Sequence, residues 1–299
     1  MPRESPDDMV VNAVLTWFRA NGRDLPWRDG QTTAWGVLVI EVMLQQTPVA
    51  RVEPVWREWM ERWPSPRDLA AAGQADAVRA WGRLGYPRRA ARLWECARVL
   101  VDRHGGAVPS EFDELLDLPG VGDYTAAAVM SFAHGARAVV IDTNVKRVLA
   151  RVWGGDEFPR PGVTAAERAL AARIAPVDAE RASEWAVASM ELGAVVCTAR
   201  SPRCDACPIA ANCAWRAAGY PASGLVKRQA RHGMELIVRC AVRFSRSCAA
   251  RVALCLSPRS LTSTPHNSRA RSALCLPTAL SPKATTARFR CDRLGGSCV

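Results

Sequence analysis

No run of about eighteen or more apolar residues occurs in the chain, so no membrane-spanning helix is expected. The opening MPRESPDDMV is polar and acidic, whereas a secretory leader is basic and then apolar, and an intracellular, cytoplasmic protein is expected. Convincing period-two alternation, the mark of a half-buried strand, is missing from residues 1–220, which argues against a sheet. Lysine is scarce, with three residues beside 37 arginines, as a GC-rich gene would encode. Tryptophan stops early, since all eleven lie before residue 221.

What is present divides at the same place. Residues 221–299 carry 14 of the 40 basic side chains and two acids, Glu235 and Asp292, so the formal charge of +11 resides there. The front of the chain is nearly neutral, and bulk basicity is no evidence that it binds nucleic acid. Its apolar residues recur three and four apart, as at Val10, Val14, Trp17 and Phe18, with breakers such as Gly85 to Pro87 and Pro119 to Gly122 between the runs. About ten short helices and an all-α class follow. The tail lacks sustained periodicity and is expected to be a disordered basic extension. Its Arg, Ala, Ser, Pro and Cys content also matches an out-of-frame translation of a GC-rich gene.

Cysteine is the first chemical signal. Of eleven, four fall within seventeen residues as Cys197-x6-Cys204-x2-Cys207-x5-Cys213. Intracellular thiols in such a group read as metal ligands, not disulfides. Four thiolates suit tetrahedral zinc or a 4Fe-4S cube, and the spacing favours iron–sulfur, because zinc sites usually pair their ligands twice.

Three further motifs precede it. Leu118-Pro119-Gly120-Val121-Gly122 joins helical runs over 111–116 and 123–133, and such a hairpin offers backbone N–H groups to one DNA phosphate. Alone it is equally a tight turn between packed helices. Glu41 lies among Val39, Ile40, Val42, Met43 and Leu44, where desolvation would raise its pKa towards that of a general acid at neutral pH. A glutamate facing solvent from one side of the helix is the plainer alternative. Asp142, in Ile141-Asp-Thr-Asn-Val-Lys-Arg-Val-Leu149, is an N-cap whose ionised form the helix terminus favours. An acid and a base held in opposite protonation states would then be available.

Together these motifs resemble the helix-hairpin-helix DNA glycosylases with an iron–sulfur loop and, within them, the MutY-type adenine glycosylases. The likeness spans roughly residues 8–216. It rests on Glu41-Val-Met-Leu-Gln-Gln-Thr47, Leu118 to Gly122, Asp142-x-Asn144-Val-x-Arg147-Val-Leu-Ala-Arg151 and the four cysteines. It implies a 4Fe-4S cluster on Cys197, Cys204, Cys207 and Cys213. It also implies two helical lobes: residues 29–135 with the hairpin, and residues 1–28 with 136–220 carrying the cluster.

In this likeness Glu41 protonates the adenine ring, Asp142 stabilises the oxocarbenium-like sugar or its covalent adduct, Asn144 holds the site, and Tyr124 bonds near Glu41. Arg23, Trp27 and Arg28 rim the adenine pocket. Leu44, Gln46 and Tyr86 contact the duplex, Gln46 and Tyr86 entering beside the opposite base. Leu118, Gly120, Val121 and Gly122 meet the DNA backbone. The implied substrate is duplex DNA with adenine facing 8-oxoguanine or guanine, acted on by a monomer that binds no membrane.

Tyr124 stands where endonuclease III-like relatives have a catalytic lysine, and Lys146 is the one lysine in residues 1–220, so a monofunctional enzyme is implied. Thymine-mismatch glycosylases share the tyrosine but generally lack the glutamate. A DNA-binding module with a structural cluster is the non-enzyme alternative, and it would have no use for Glu41 and Asp142 together. The likeness fails in two places. Residues 221–299 do not resemble the family's lesion-sensing C-terminal domain, and Val187 replaces a Gln or Glu near the adenine.

Overall fold

The computed structural model describes residues 5–223. The expectations for the basic tail therefore fall, from residue 224 onward, outside the described residues. Twelve α-helices and no strands form among the described residues, in keeping with the all-α class.

Helix α1 (Pro6–Asn21) starts with a capping box in which Ser5 Oγ accepts from the Asp8 N–H at 3.1 Å and Asp8 accepts in return. Its face of Val10, Val11, Val14 and Leu15 is buried. Helix α2 (Ala34–Leu44) differs in kind. Every residue from Trp35 to Met43 is buried, so it runs through the interior instead of along its surface. Helices α3 (Val49–Arg62), α4 (Pro66–Ala71), α5 (Gln74–Trp81) and α6 (Arg88–His104) follow, separated by breakers at Pro64 to Pro66, Gly73 and Gly85 to Pro87. They enclose α2 with an aromatic cluster in which Trp59 meets Trp63 and Trp81 edge-on, at 4.9 and 5.6 Å between ring centres.

The hairpin joins α7 (Phe112–Leu116) to α8 (Asp123–His134), and α8 packs on α2. Helix α9 (Thr143–Leu149) leads into a π-helical turn, Ala150–Gly154. Helices α10 (Ala165–Ile174) and α11 (Ala179–Val195) follow, and α11 packs on α9, α1 and α8. The short helix α12 (Ala214–Ala217) ends the sequence of elements. One apolar cluster gathers α2 to α8, while a second gathers α1, α9, α10 and α11 with Ile209 of the cysteine loop. The loop after residue 195 is thus anchored in the second cluster.

Candidate active site and cysteine loop

Burying α2 on all sides takes Glu41 into the interior, where it is 6% exposed. The Tyr124 hydroxyl, in the first turn of α8, donates to Glu41 Oε2 at 2.7 Å. Burial pushes the Glu41 pKa from 4.5 to about 7. The Tyr124 bond and Arg28 oppose this rise, and the Asp142 charge adds to it. The carboxyl therefore holds its proton near neutrality.

Asp142 is the N-cap of α9. Its Oδ1 accepts from the Val145 N–H at 2.6 Å and its Oδ2 from Asn144 Nδ2 at 2.7 Å. Burial raises its pKa, and the bonds from the Val145 N–H at the helix terminus and from Asn144 work against that rise, favouring the ionised form. The amide of Asn144 is fixed in turn, because its Oδ1 accepts from Arg147 Nη2 at 2.8 Å. Arg147 Nε donates to the Cys197 carbonyl at 2.6 Å, so one run of bonds leads from Asp142 to the cysteine loop.

Arg23 and Arg28 converge on a residue the sequence did not single out. Arg23 Nε meets Glu191 Oε1 at 2.6 Å and Arg28 Nη2 meets Glu191 Oε2 at 3.0 Å. Burial pushes the Glu191 pKa up, but the bonds and charges of the two guanidiniums outweigh it and hold the group at about 2. Trp27 lies in the 3-10 turn between them and packs edge-on against Trp56 at 5.7 Å.

Gln46 and Tyr86 are exposed and share a backbone anomaly, with φ of +56° and +50°. A left-handed conformation in a residue other than glycine costs about 1–3 kcal/mol and persists only where its surroundings impose it. Leu44 is half-buried at the end of α2. In the hairpin Leu118 is a core residue, 2% exposed, whereas Gly120 and Gly122 face solvent and Val121 is half-buried. Leu118 can therefore meet a phosphate only through its backbone.

Residues 39–175 match the HhH-GPD superfamily of base excision DNA repair proteins. An adenine DNA glycosylase of Mycolicibacterium smegmatis is 50% identical over 220 residues, covering 73% of each chain. The chain belongs to the adenine DNA glycosylase family. Among solved structures, a thermostable thymine-DNA glycosylase is 28% identical with a TM-score of 0.64, covering 71% of this chain and 97% of that one. Endonuclease III trapped in a covalent intermediate with DNA is 26% identical with a TM-score of 0.62, covering 74% of this chain and all of that one.

Residues 197–213 match the iron–sulfur binding domain of endonuclease III, as the cysteine spacing led us to expect of this family member. The side chains fit a 4Fe-4S cluster. All four thiols line one cavity, with Val148, Arg151 and Trp215 beside them. A cube takes one thiolate at each iron, and the four thiols lining that cavity supply the donor set. Arg151, 1% exposed, sets its Nη1 3.3 Å from Cys197 Sγ, a cation placed to offset thiolate charge. Cys96 stands apart, buried in the other core with its thiol pushed up to about 12 by desolvation.

Two contributors were beyond sequence reasoning. Glu191 lies more than 160 residues from its arginine partners. Arg89 makes its bonds to main-chain carbonyls of two turns, which no motif records.

Proposed function

We propose that this chain flips adenine out of duplex DNA, where it faces 8-oxoguanine or guanine, and hydrolyses its N-glycosidic bond without cutting the strand. The observation that carries the reading is Glu41: buried, bonded by Tyr124 and protonated near pH 7. Such an acid can give its proton to a ring nitrogen of adenine as the base departs with the glycosidic electron pair. Asp142, with N–H donors on both oxygens, serves as the carboxylate facing the cationic sugar. Water then adds hydroxide to the anomeric carbon and its proton returns to Glu41, which closes the cycle.

A strand-cleaving path would need an amine. Lys146 is the one lysine of residues 5–223; it is 7% exposed, and its Nζ donates to the Arg160 carbonyl at 2.7 Å. This supports a monofunctional enzyme. Arg23, Trp27 and Arg28 form the pocket rim, with Glu191 as their anchor. Gln46 and Tyr86 enter the duplex, and the backbone of Gly120 to Gly122 holds a phosphate. Cys197, Cys204, Cys207 and Cys213 hold the cluster, which when bound cross-links residues 197–213 into one rigid loop.

We also take the chain to be a cytoplasmic, nucleoid-associated monomer with two lobes, 29–135 and 1–28 with 136–220. The two larger apolar clusters support the lobes, and a third, of Ala127, Ala128, Val140 and Ala186, joins them. Among the described residues the exposed large apolar ones, Met9, Val78, Tyr86, Val177 and Tyr220, lie on different segments, which supports the monomer. Among the described residues no helix is long and apolar enough to cross a membrane.

A single-turnover assay on duplexes with adenine opposite 8-oxoguanine, guanine or cytosine tests the reading. Release opposite the first two, with an intact strand until alkali is added, is expected. Excision of thymine from a thymine–guanine mismatch in preference to adenine would assign the chain to the thymine branch instead.

A further inference from the structure

The guanidinium of Arg89 ties together two turns far apart in sequence. Its Nη1 donates to the carbonyls of Val42, Met43 and Gln45 at 3.0, 3.1 and 2.6 Å, closing the end of α2. Its Nη2 donates to Thr47 Oγ1 at 3.0 Å and to the Gly85 carbonyl at 3.1 Å. The Thr47 hydroxyl in turn lies 3.3 Å from both the Gln45 and Leu84 carbonyls. The cation also sits 5.4 Å from the Tyr86 ring centre. Arg89 Nε is buried without a partner, so the binding falls to the two Nη groups.

Each tied turn carries one left-handed residue other than glycine, Gln46 in the first and Tyr86 in the second. Apart from Tyr220, these are the only such residues among the described ones. Two exposed residues with strained backbones, on either side of one half-buried cation, need a common cause, and the bonds of Arg89 supply it. Desolvation pulls the Arg89 pKa below its ordinary value, as burial of a cation bonded to carbonyls and not to a carboxylate should.

We propose that Arg89 is a positioning residue that locks the Gln46 and Tyr86 turns into one rigid wedge, so that base flipping meets a pre-set tool. The inference rests on the reading above that both side chains enter the duplex. With Arg89 shortened, each turn relaxes on its own, and the wedge must be ordered during flipping.

The test is a double-mutant cycle read by the fluorescence of 2-aminopurine placed at the target adenine, which brightens on unstacking, together with single-turnover excision. Arg89→Ala should lower the flipped fraction and the excision rate by about a hundredfold, the scale of an ångström-sized misplacement. In a Gln46→Ala/Tyr86→Ala background the same change should cost less than about twofold, because nothing is left to position. If Arg89→Ala does not fold, Arg89→Lys is read instead. It keeps the charge but loses the fork, and should show a smaller loss that also vanishes in that background. A loss of equal size in both backgrounds, or no loss in either, overturns the inference. If the Gln46→Ala/Tyr86→Ala protein itself flips normally, it is the wedge reading that fails, and the two failures are thereby told apart.

Discussion

Among single residues, the proposed chemistry turns on where Glu41 keeps its proton. With a pKa of about 7 in the folded protein, the acid form is present below pH 7, and the excision rate should fall about tenfold per pH unit above it. The same shift has a stability consequence. A carboxyl whose pKa is raised on folding binds more protons folded than unfolded between 4.5 and about 7, so stability drops as pH rises through that window. Replacing Glu41 by Gln removes the cost, on the order of 3 kcal/mol at most. Glu41→Gln should therefore melt higher than the parent at pH 8 and close to it at pH 4.5, while losing activity. Equal melting temperatures at both values would show that the carboxyl is not desolvated as described. An acid amid apolar neighbours at 39–44 made Glu41 legible in the sequence. The fine tuning of Asp142 was not: its burial depends on how α9 meets the rest of the fold, which local pattern does not encode.

At the scale of elements, the hairpin and the cysteine loop make separate demands. Gly120 has φ +86°, and a Cβ there would lie 3.0 Å from the Arg92 Cβ of α6. Gly120→Ala should cost about 1–2 kcal/mol in denaturant unfolding and weaken binding to any duplex, mispaired or not, because a phosphate contact carries no sequence information. Weakening confined to adenine mispairs would place the hairpin's role elsewhere. For the loop, Cys204→Ser should give pale protein in low soluble yield, read by iron content and visible absorption, because cluster binding is coupled to folding. Full yield of colourless protein would show the cluster to be dispensable for the fold. Both elements announced themselves by spacing, as glycines or thiols at fixed offsets. The Arg89 tie and the Glu191 anchor did not, since each joins segments distant in the chain, and an arginine or a glutamate on a helix is usually a solvated side chain.

For the molecule as a whole, the proposed catalysis lies within the described residues. Contacts among the described residues run past Tyr220: Trp215 Nε1 donates to the Pro221 carbonyl at 2.9 Å and the Ser223 N–H to Glu157 Oε2 at 2.9 Å. A chain ending at Ser223 should keep its cluster and its adenine excision. It should bind DNA with a shallower salt dependence than the full chain, having lost all 14 basic residues beyond 220. Lesion preference present in the full chain and lost on truncation would assign residues 224–299 a sensing role. In the proposed mechanism the Glu41 proton drives adenine departure, and the decisive comparison is single-turnover adenine release from an adenine–8-oxoguanine duplex by the full chain and by Glu41→Gln at pH 7. A loss of at least about a hundredfold with duplex binding retained is predicted; a rate within a few-fold of the parent would contradict it.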